Sequence, residues 1–213
     1  MKVNRIRQNV FPVLAALIWG TAFVAQSVAA DSVEPFTFTA ARSAVAFLFL
    51  LGLCLVFRAL RRRDFQENAQ PRPGSRRDLA VGGICCGVAL TAAVNLQQMG
   101  LETTSSGKAG FITALYIVLV PIAGLFLHRK APRAIWLSVA LAVVGLYLLC
   151  VQESFSITQG DFYVLLCAFC FTGHILIIDH FTQKVDGVAL SCAQFLVVTL
   201  LSAAMMLATE SPN

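Results

Sequence analysis

Charged side chains are scarce in this 213-residue chain: Asp, Glu, Lys and Arg make up 13% of it, where a water-soluble domain carries roughly a quarter. Apolar residues reach 58%, and the mean hydropathy is +0.77. So few charges cannot cover a folded surface in water, so the outer solvent is lipid, and soluble enzymes and disordered tails are excluded. The parts of a membrane hydrolase are missing too. No span holds paired mid-membrane carboxylates, a glycine-rich phosphate loop or a serine nucleophile elbow. No catalytic residue is assigned, an enzyme is not expected, and no cofactor is implied. All seven cysteines (Cys54, Cys85, Cys86, Cys150, Cys167, Cys170 and Cys192) lie inside apolar runs, where they read as reduced, packed thiols. Cys167 and Cys170 are spaced like half of a zinc site, but no second ligand pair accompanies them, so no metal is expected.

What the chain does have is long apolar runs. Crossing about 30 Å of hydrocarbon takes roughly 20 helical residues, and seven segments qualify: Val10 to Ala30, Phe36 to Ala59, Leu79 to Met99, Ala109 to Leu127, Ala134 to Val151, Asp161 to Ile178 and Val188 to Ala208. Lys and Arg accumulate on the cytoplasmic side of such proteins. With the N-terminus inside, 14 of the 16 basic residues fall on that side, leaving only Arg42 and Lys108. The net charge of +5 therefore reads as topology and contact with anionic headgroups, and no nucleic-acid partner is expected. The segment Arg61 to Asp78, rich in Arg, Gln and Pro, reads as a cytoplasmic linker. The first apolar stretch follows Lys2, Arg5 and Arg7 like a secretory signal, but its length favours a retained first helix.

Sliding the chain on itself by 152 residues aligns Ser32-Val33-Glu34-Pro35 with Lys184-Val185-Asp186-Gly187, and lays Thr39-Ala40-Ala41-Arg42 on Ser191-Cys192-Ala193-Gln194. The same shift lays Trp19 on Phe171. An odd number of spans separates Glu34 from Asp186, so the matched segments face opposite sides of the membrane. That pattern is the mark of an inverted-topology transporter. The first unit fills residues 1–151 with five spans, while the second, 152–213, holds only two and is expected to be incomplete.

The residues also carry a resemblance. Leu14-Ala15-Ala16-Leu17-Ile18-Trp19-Gly20-Thr21-Ala22-Phe23 resembles the first-helix signature of EamA-type transporters, in the drug/metabolite transporter superfamily. Pro35 with Ala40-Ala41-Arg42 resembles their second helix, and the passage from Asn95 through Gly107-Lys108-Ala109-Gly110-Phe111 to Pro121 their third and fourth. Gly145-Leu146-Tyr147-Leu148-Leu149 is similar to the end of the fifth. Residues 163–208 resemble the start of the second unit, with Phe171 where a Trp is often found and Gln194 where an Arg is expected. The resemblance implies an all-α membrane protein with about seven transmembrane helices of a ten-helix, inverted-repeat transporter fold, with a central cavity and alternating access. The family's substrates are too varied for one to carry over.

Several residues are candidates for that cavity. Trp19, Phe23 and Gln26 share one face of the first span; core packing is the competing reading. Gly83, Gly87, Thr91, Asn95 and Gln98 stack along one face of the third span. The glycines suit close helix packing, and the amides suit either a cavity wall or bonds between helices. Arg42, six residues inside its span, is placed to attract an anionic substrate group or to snorkel outward. Phe111 and Tyr116 join the set. His174, on the face of Tyr163, Cys167 and Cys170, reads as a pocket or proton-relay residue or as a packing histidine, and Lys108 as an interfacial anchor.

The leading expectation is a multi-pass solute transporter of a bacterial inner membrane, with lipid and a small molecule as partners. A second reading is an inactive fragment or an assembly partner that works with a second copy or a complementary chain. A seven-helix receptor is a weaker third: the last span lacks the lysine of a retinal pigment, and the N-terminal side is wrong for a G-protein receptor.

Overall fold

The computed structural model describes residues 2–64, 75–126, 133–152 and 158–210. Among the described residues all regular structure is helical: α1 (Lys2–Ala30), α2 (Pro35–Asp64), α3 (Arg76–Gly100), α4 (Ser106–Thr113), α5 (Tyr116–Phe126), α6 (Arg133–Gln152), α7 (Gln159–Thr182) and α8 (Gly187–Thr209). Among the described residues six stretches are long and apolar enough to cross a membrane, one of them the α4 and α5 pair, and α6 adds a shorter apolar stretch, Ile135–Gly145. Of the Arg61–Asp78 stretch expected as a linker, 61–64 continue α2 and 76–78 open α3 as helix, and 65–74 lie outside the described residues.

The helix starts follow from local chemistry. Ser75 caps α3, Ser105 caps α4, and Asp186 accepts from the Val188 and Ala189 amides to cap α8. Thr158 and Asp161 form a reciprocal capping box at α7. The fourth expected span differs from a continuous helix. Around residues 112–118 its hydrogen bonds tighten to three-residue steps: Leu115 N to Ile112 O at 3.1 Å, Ile117 N to Ala114 O at 2.9 Å and Val118 N to Leu115 O at 2.9 Å. Short 3₁₀ turns inside a helix often mark a hinge, and Tyr116 sits on this one.

α3 is the centre of the bundle, held between α7 and α8. Small residues permit this. A Cβ at Gly83 would come within 2.6 Å of the Ala193 Cβ, and one at Gly87 within 2.5 Å of the Val197 Cβ, so the α3 and α8 backbones meet almost directly. Leu90 and Ala93 of α3 pack with Cys167 and Phe171 of α7 and Val198 of α8. α2 lies along α8, and α1 leans on α4 through Phe23, Ala109 and Ile112. The outer faces of α1 and α6 expose Leu17, Ile18, Leu137 and Leu141, surfaces suited to lipid.

Successive spans alternate in direction. One end of the bundle gathers Ala30, Pro35, Gly100, Ser106, Gln159 and Thr209 (the Gly100 end), and the other gathers Arg76, Phe126, Thr182 and Gly187 (the Gly187 end).

Candidate functional site

α7 forms one wall of the site. Cys167, Phe171 and His174 follow at spacings of four and three, which sets them on one stripe. Phe171 meets Trp19 of α1 edge-on at 6.1 Å between ring centroids and Tyr116 of α5 at 6.2 Å, while Trp19 and Tyr116 stack at 5.8 Å. These separations fall in the favourable range for aromatic pairs. One turn toward the Gly187 end, the His174 ring lies 6.4 Å from Phe171, and its Nε2 is 3.0 Å from Gln194 Oε1 of α8, with both side chains buried.

Toward the Gly100 end the stripe meets a polar knot. Arg42 Nη1 donates to Gln26 Oε1, and Gln98 Nε2 donates to the Gln26 carbonyl at 3.2 Å. The guanidinium stands 5.4 Å over the Phe38 ring and near Cys167. Among the described residues Arg42 has no acidic partner. Among the described residues Gln98 Oε1, Thr39 Oγ1 and Asn95 Oδ1 are buried with no hydrogen-bond partner. Gln97 Nε2 donates to Thr113 Oγ1 at 3.2 Å and ties α3 to α4 beside the knot.

At the Gly100 end an ion pair ties α4 to α7. Lys108, expected at the interface, is instead buried, with its Nζ 2.7 Å from Asp161 Oδ2. Thr104 Oγ1 donates to Asp161 Oδ1 at 3.0 Å and the Thr158 amide to Oδ2 at 2.7 Å. A buried carboxylate is tolerable because every near group is a donor or a cation. Close by, Glu210 accepts from the Phe36 and Thr37 amides at 2.7 and 2.8 Å and so caps α2 from the end of α8. Although Glu102 is exposed, partial desolvation by its surroundings raises its carboxyl above the ordinary range, and Glu34 and Glu210 push it the same way.

Two openings adjoin these groups. A crevice of about 380 Å³ between α1 and α4 is lined by Trp19, Gly20, Phe23, Gly110 and Phe111. A groove of about 610 Å³ between α3 and α8 is lined by Thr91, Asn95, Met99, Leu201 and Met205 among others. Among the described residues no three His, Cys, Asp or Glu side chains gather closely enough to hold a metal ion.

The model of the EamA-like transporter family matches residues 8–151. The chain belongs to that family. It is similar to an uncharacterized transporter of Archaeoglobus fulgidus, with 31% identity over 202 residues, which cover 94% of this chain and 58% of the relative. The chain thus spans little more than half the length of that relative. No solved structure matches it.

The EamA-like region holds every site residue expected from the sequence except His174. Trp19, Tyr116 and His174 converge on Phe171, and Gln26, Arg42 and Gln98 converge on one another. Phe23 and Phe111 line the crevice beside Trp19, and Phe111 also reaches the bare backbone of Gly145. Thr91 and Asn95 do not reach either cluster. Asn95 Nδ2 donates to Thr91 O and to Ser202 Oγ, both at 2.9 Å, and so faces α8. Sequence reasoning missed Asp161 as the partner of Lys108, and missed Gln97, Thr104 and Glu210. The only signal available for Asp161 was the Thr158-x-x-Asp161 capping spacing, which speaks of a helix start and says nothing of a lysine 53 positions earlier.

Proposed function

We propose that this chain moves a small solute across a bacterial inner membrane by alternating access between a first unit, residues 1–151, and the beginning of an inverted second unit, residues 152–213. The observation that carries the reading is contact between matched positions. Trp19 and Phe171, superposed by the 152-residue shift, touch at 6.1 Å. α2 and α8, superposed by the same shift, pack along each other. A two-fold relation brings a residue against its own mate only close to the axis, so both contacts fit an axis through the aromatic cluster. Each unit also ties its first helix to its second by one polar pair, Gln26 with Arg42 and His174 with Gln194, and the shift superposes Arg42 on Gln194.

In such a transporter the solute sits between the units, and rocking exposes it to each side in turn. The working cavity lies among α1, α3, α4, α5 and α7, around Trp19, Tyr116, Phe171 and the Gln26, Arg42 and Gln98 knot. With the N-terminus cytoplasmic, the Gly100 end faces outward, and the Lys108 and Asp161 pair joins the two units there. Opening to the outside therefore requires that pair to part.

Two experiments test the reading. Single cysteines replacing Glu34 and Asp186 are expected to label from opposite faces of sealed vesicles; labelling of both from one face removes the inverted relation. The purified chain in liposomes is expected to accelerate uptake of at least one solute in a panel of radiolabelled amines, amino acids and carboxylates. A second reading has the chain working only within an assembly, and the observation favouring it is its coverage of 58% of the archaeal relative. Flux that appears only when a longer version or a complementary chain is added would select that reading.

A further inference from the structure

We propose that Arg42 anchors the acidic head of an aromatic organic anion whose ring lies against Trp19, Tyr116 and Phe171; this rests on the transport reading above. Three observations converge on it. The first is an uncompensated charge: Arg42 is half-buried, engages the neutral Gln26 amide and the Phe38 face, and has no acidic partner among the described residues. A charge inside a span is costly and finds a partner in an opposite charge or in backbone carbonyls, so a span arginine with neither among its described contacts favours an anion. A guanidinium keeps further N–H donors for a carboxylate after one is spent on an amide.

The second is an unused acceptor. Gln98 is fully buried, and among the described residues its Oε1 has no partner although its Nε2 is bonded to the Gln26 carbonyl in the same knot. Buried polar atoms are satisfied in the great majority of proteins, so an orphan beside an unpaired cation points to a polar ligand.

The third is spacing and access. Cys167, near the guanidinium, and Phe171, in the aromatic cluster, are four residues apart on α7, about 6 Å along the axis. Gln26 and Trp19 are seven apart on α1, about 10 Å. A carboxylate linked to a ring by two or three carbons fits that interval. The crevice of about 380 Å³ gives Trp19 an open side, and its size suits a small ligand.

The test uses three probes of one shape: 3-phenylpropionate, its neutral amide and 3-phenylpropylamine. Binding to the full chain in nanodiscs is read as quenching of Trp19 fluorescence in a Trp136→Phe background, since the chain has two tryptophans. The anion is expected to bind about tenfold or more tightly than either analogue, and Arg42→Gln to erase that preference. Arg42→Lys is expected to keep the preference for charge with weaker binding. Equal binding of the three probes by the wild type overturns the proposal whatever the variants do, so misfolding of a variant cannot shield it. Nanodiscs of phosphatidylcholine and of phosphatidylglycerol separate solute from headgroup. Unchanged probe binding supports a solute site, whereas displacement of the probe by phosphatidylglycerol makes the anion a lipid and overturns it. Arg42-dependent binding without uptake into liposomes would sink the transport reading and leave the site standing. Uptake that Arg42→Gln leaves unchanged would do the reverse.

Discussion

The two ends of the bundle are fastened by different chemistry. At the Gly100 end, Lys108 meets Asp161 at 2.7 Å inside a set of threonine hydroxyls, and Glu210 holds two amides of α2. At the Gly187 end the core beside α3 is apolar, with Cys86, Val185 and Leu190 packed on Leu79, Ile177 and Phe181 and Gly82 admitting the Phe181 ring, while the polar contacts of Lys184 and His180 lie at its rim. Ionic and hydroxyl contacts are few and directional, and each fails sharply when a partner leaves. Apolar packing changes in proportion to area and survives small slides. If the bundle rocks as proposed, the ionic contacts at the Gly100 end would release in discrete steps, while the apolar packing around α3 at the other end would yield gradually.

The largest expected effect tests the ionic end. Asp161→Ala strands a buried ammonium and is expected to cost about 3–5 kcal/mol in detergent unfolding. The pair Lys108→Met with Asp161→Leu is expected to recover most of that loss; a double variant as unstable as the single one would break the contrast between the ends. Next comes the small-residue seam. Gly83→Ala drives a methyl into Ala193 and is expected to cost about 1–3 kcal/mol. Gly20→Ala, with nothing within 4 Å, is the control and is expected to gain up to about 1 kcal/mol from helix propensity. Glu210→Gln removes a charged cap and is expected to cost about 1 kcal/mol, read in the same unfolding assay.

The smallest effect sharpens the Gly100 end further. The folded state raises the Glu102 carboxyl above its ordinary value of 4.5, so ionising it disfavours folding, and stability falls as pH rises through the raised value. Glu102→Gln is expected to be more stable than the wild type at neutral pH, with the gain gone below about pH 4.5. A gain independent of pH would place its cause outside the carboxyl.

Much of this architecture was legible in the sequence because lipid imposes strong rules. Span lengths, the all-helical class and the EamA-like resemblance of the first unit follow from runs of apolar residues and a few signatures. The stripe Gly83, Gly87, Thr91, Asn95 and Gln98 was also readable as one helical face, since spacing alone fixes it, though its last member, Gln98, bonds α1. Which neighbour that face meets was not: Gly83 and Asn95 both look to α8, a partner about a hundred residues away. The fourth span read as one helix, because no residue type in Ala114-Leu115-Tyr116 announces a tightened turn.

Sequence by itself determined that the chain lives in lipid, roughly where its spans lie, and which residues share a helical face, because solvent and local hydrogen bonding act over a few residues. Tertiary structure alone decided that Lys108 is buried on Asp161, that Trp19 meets Tyr116 and Phe171, and that Arg42 binds an amide in place of an acid. Those pairings depend on how helices far apart in the chain cross, and crossing is set by summed packing over whole faces that no short stretch of residues encodes.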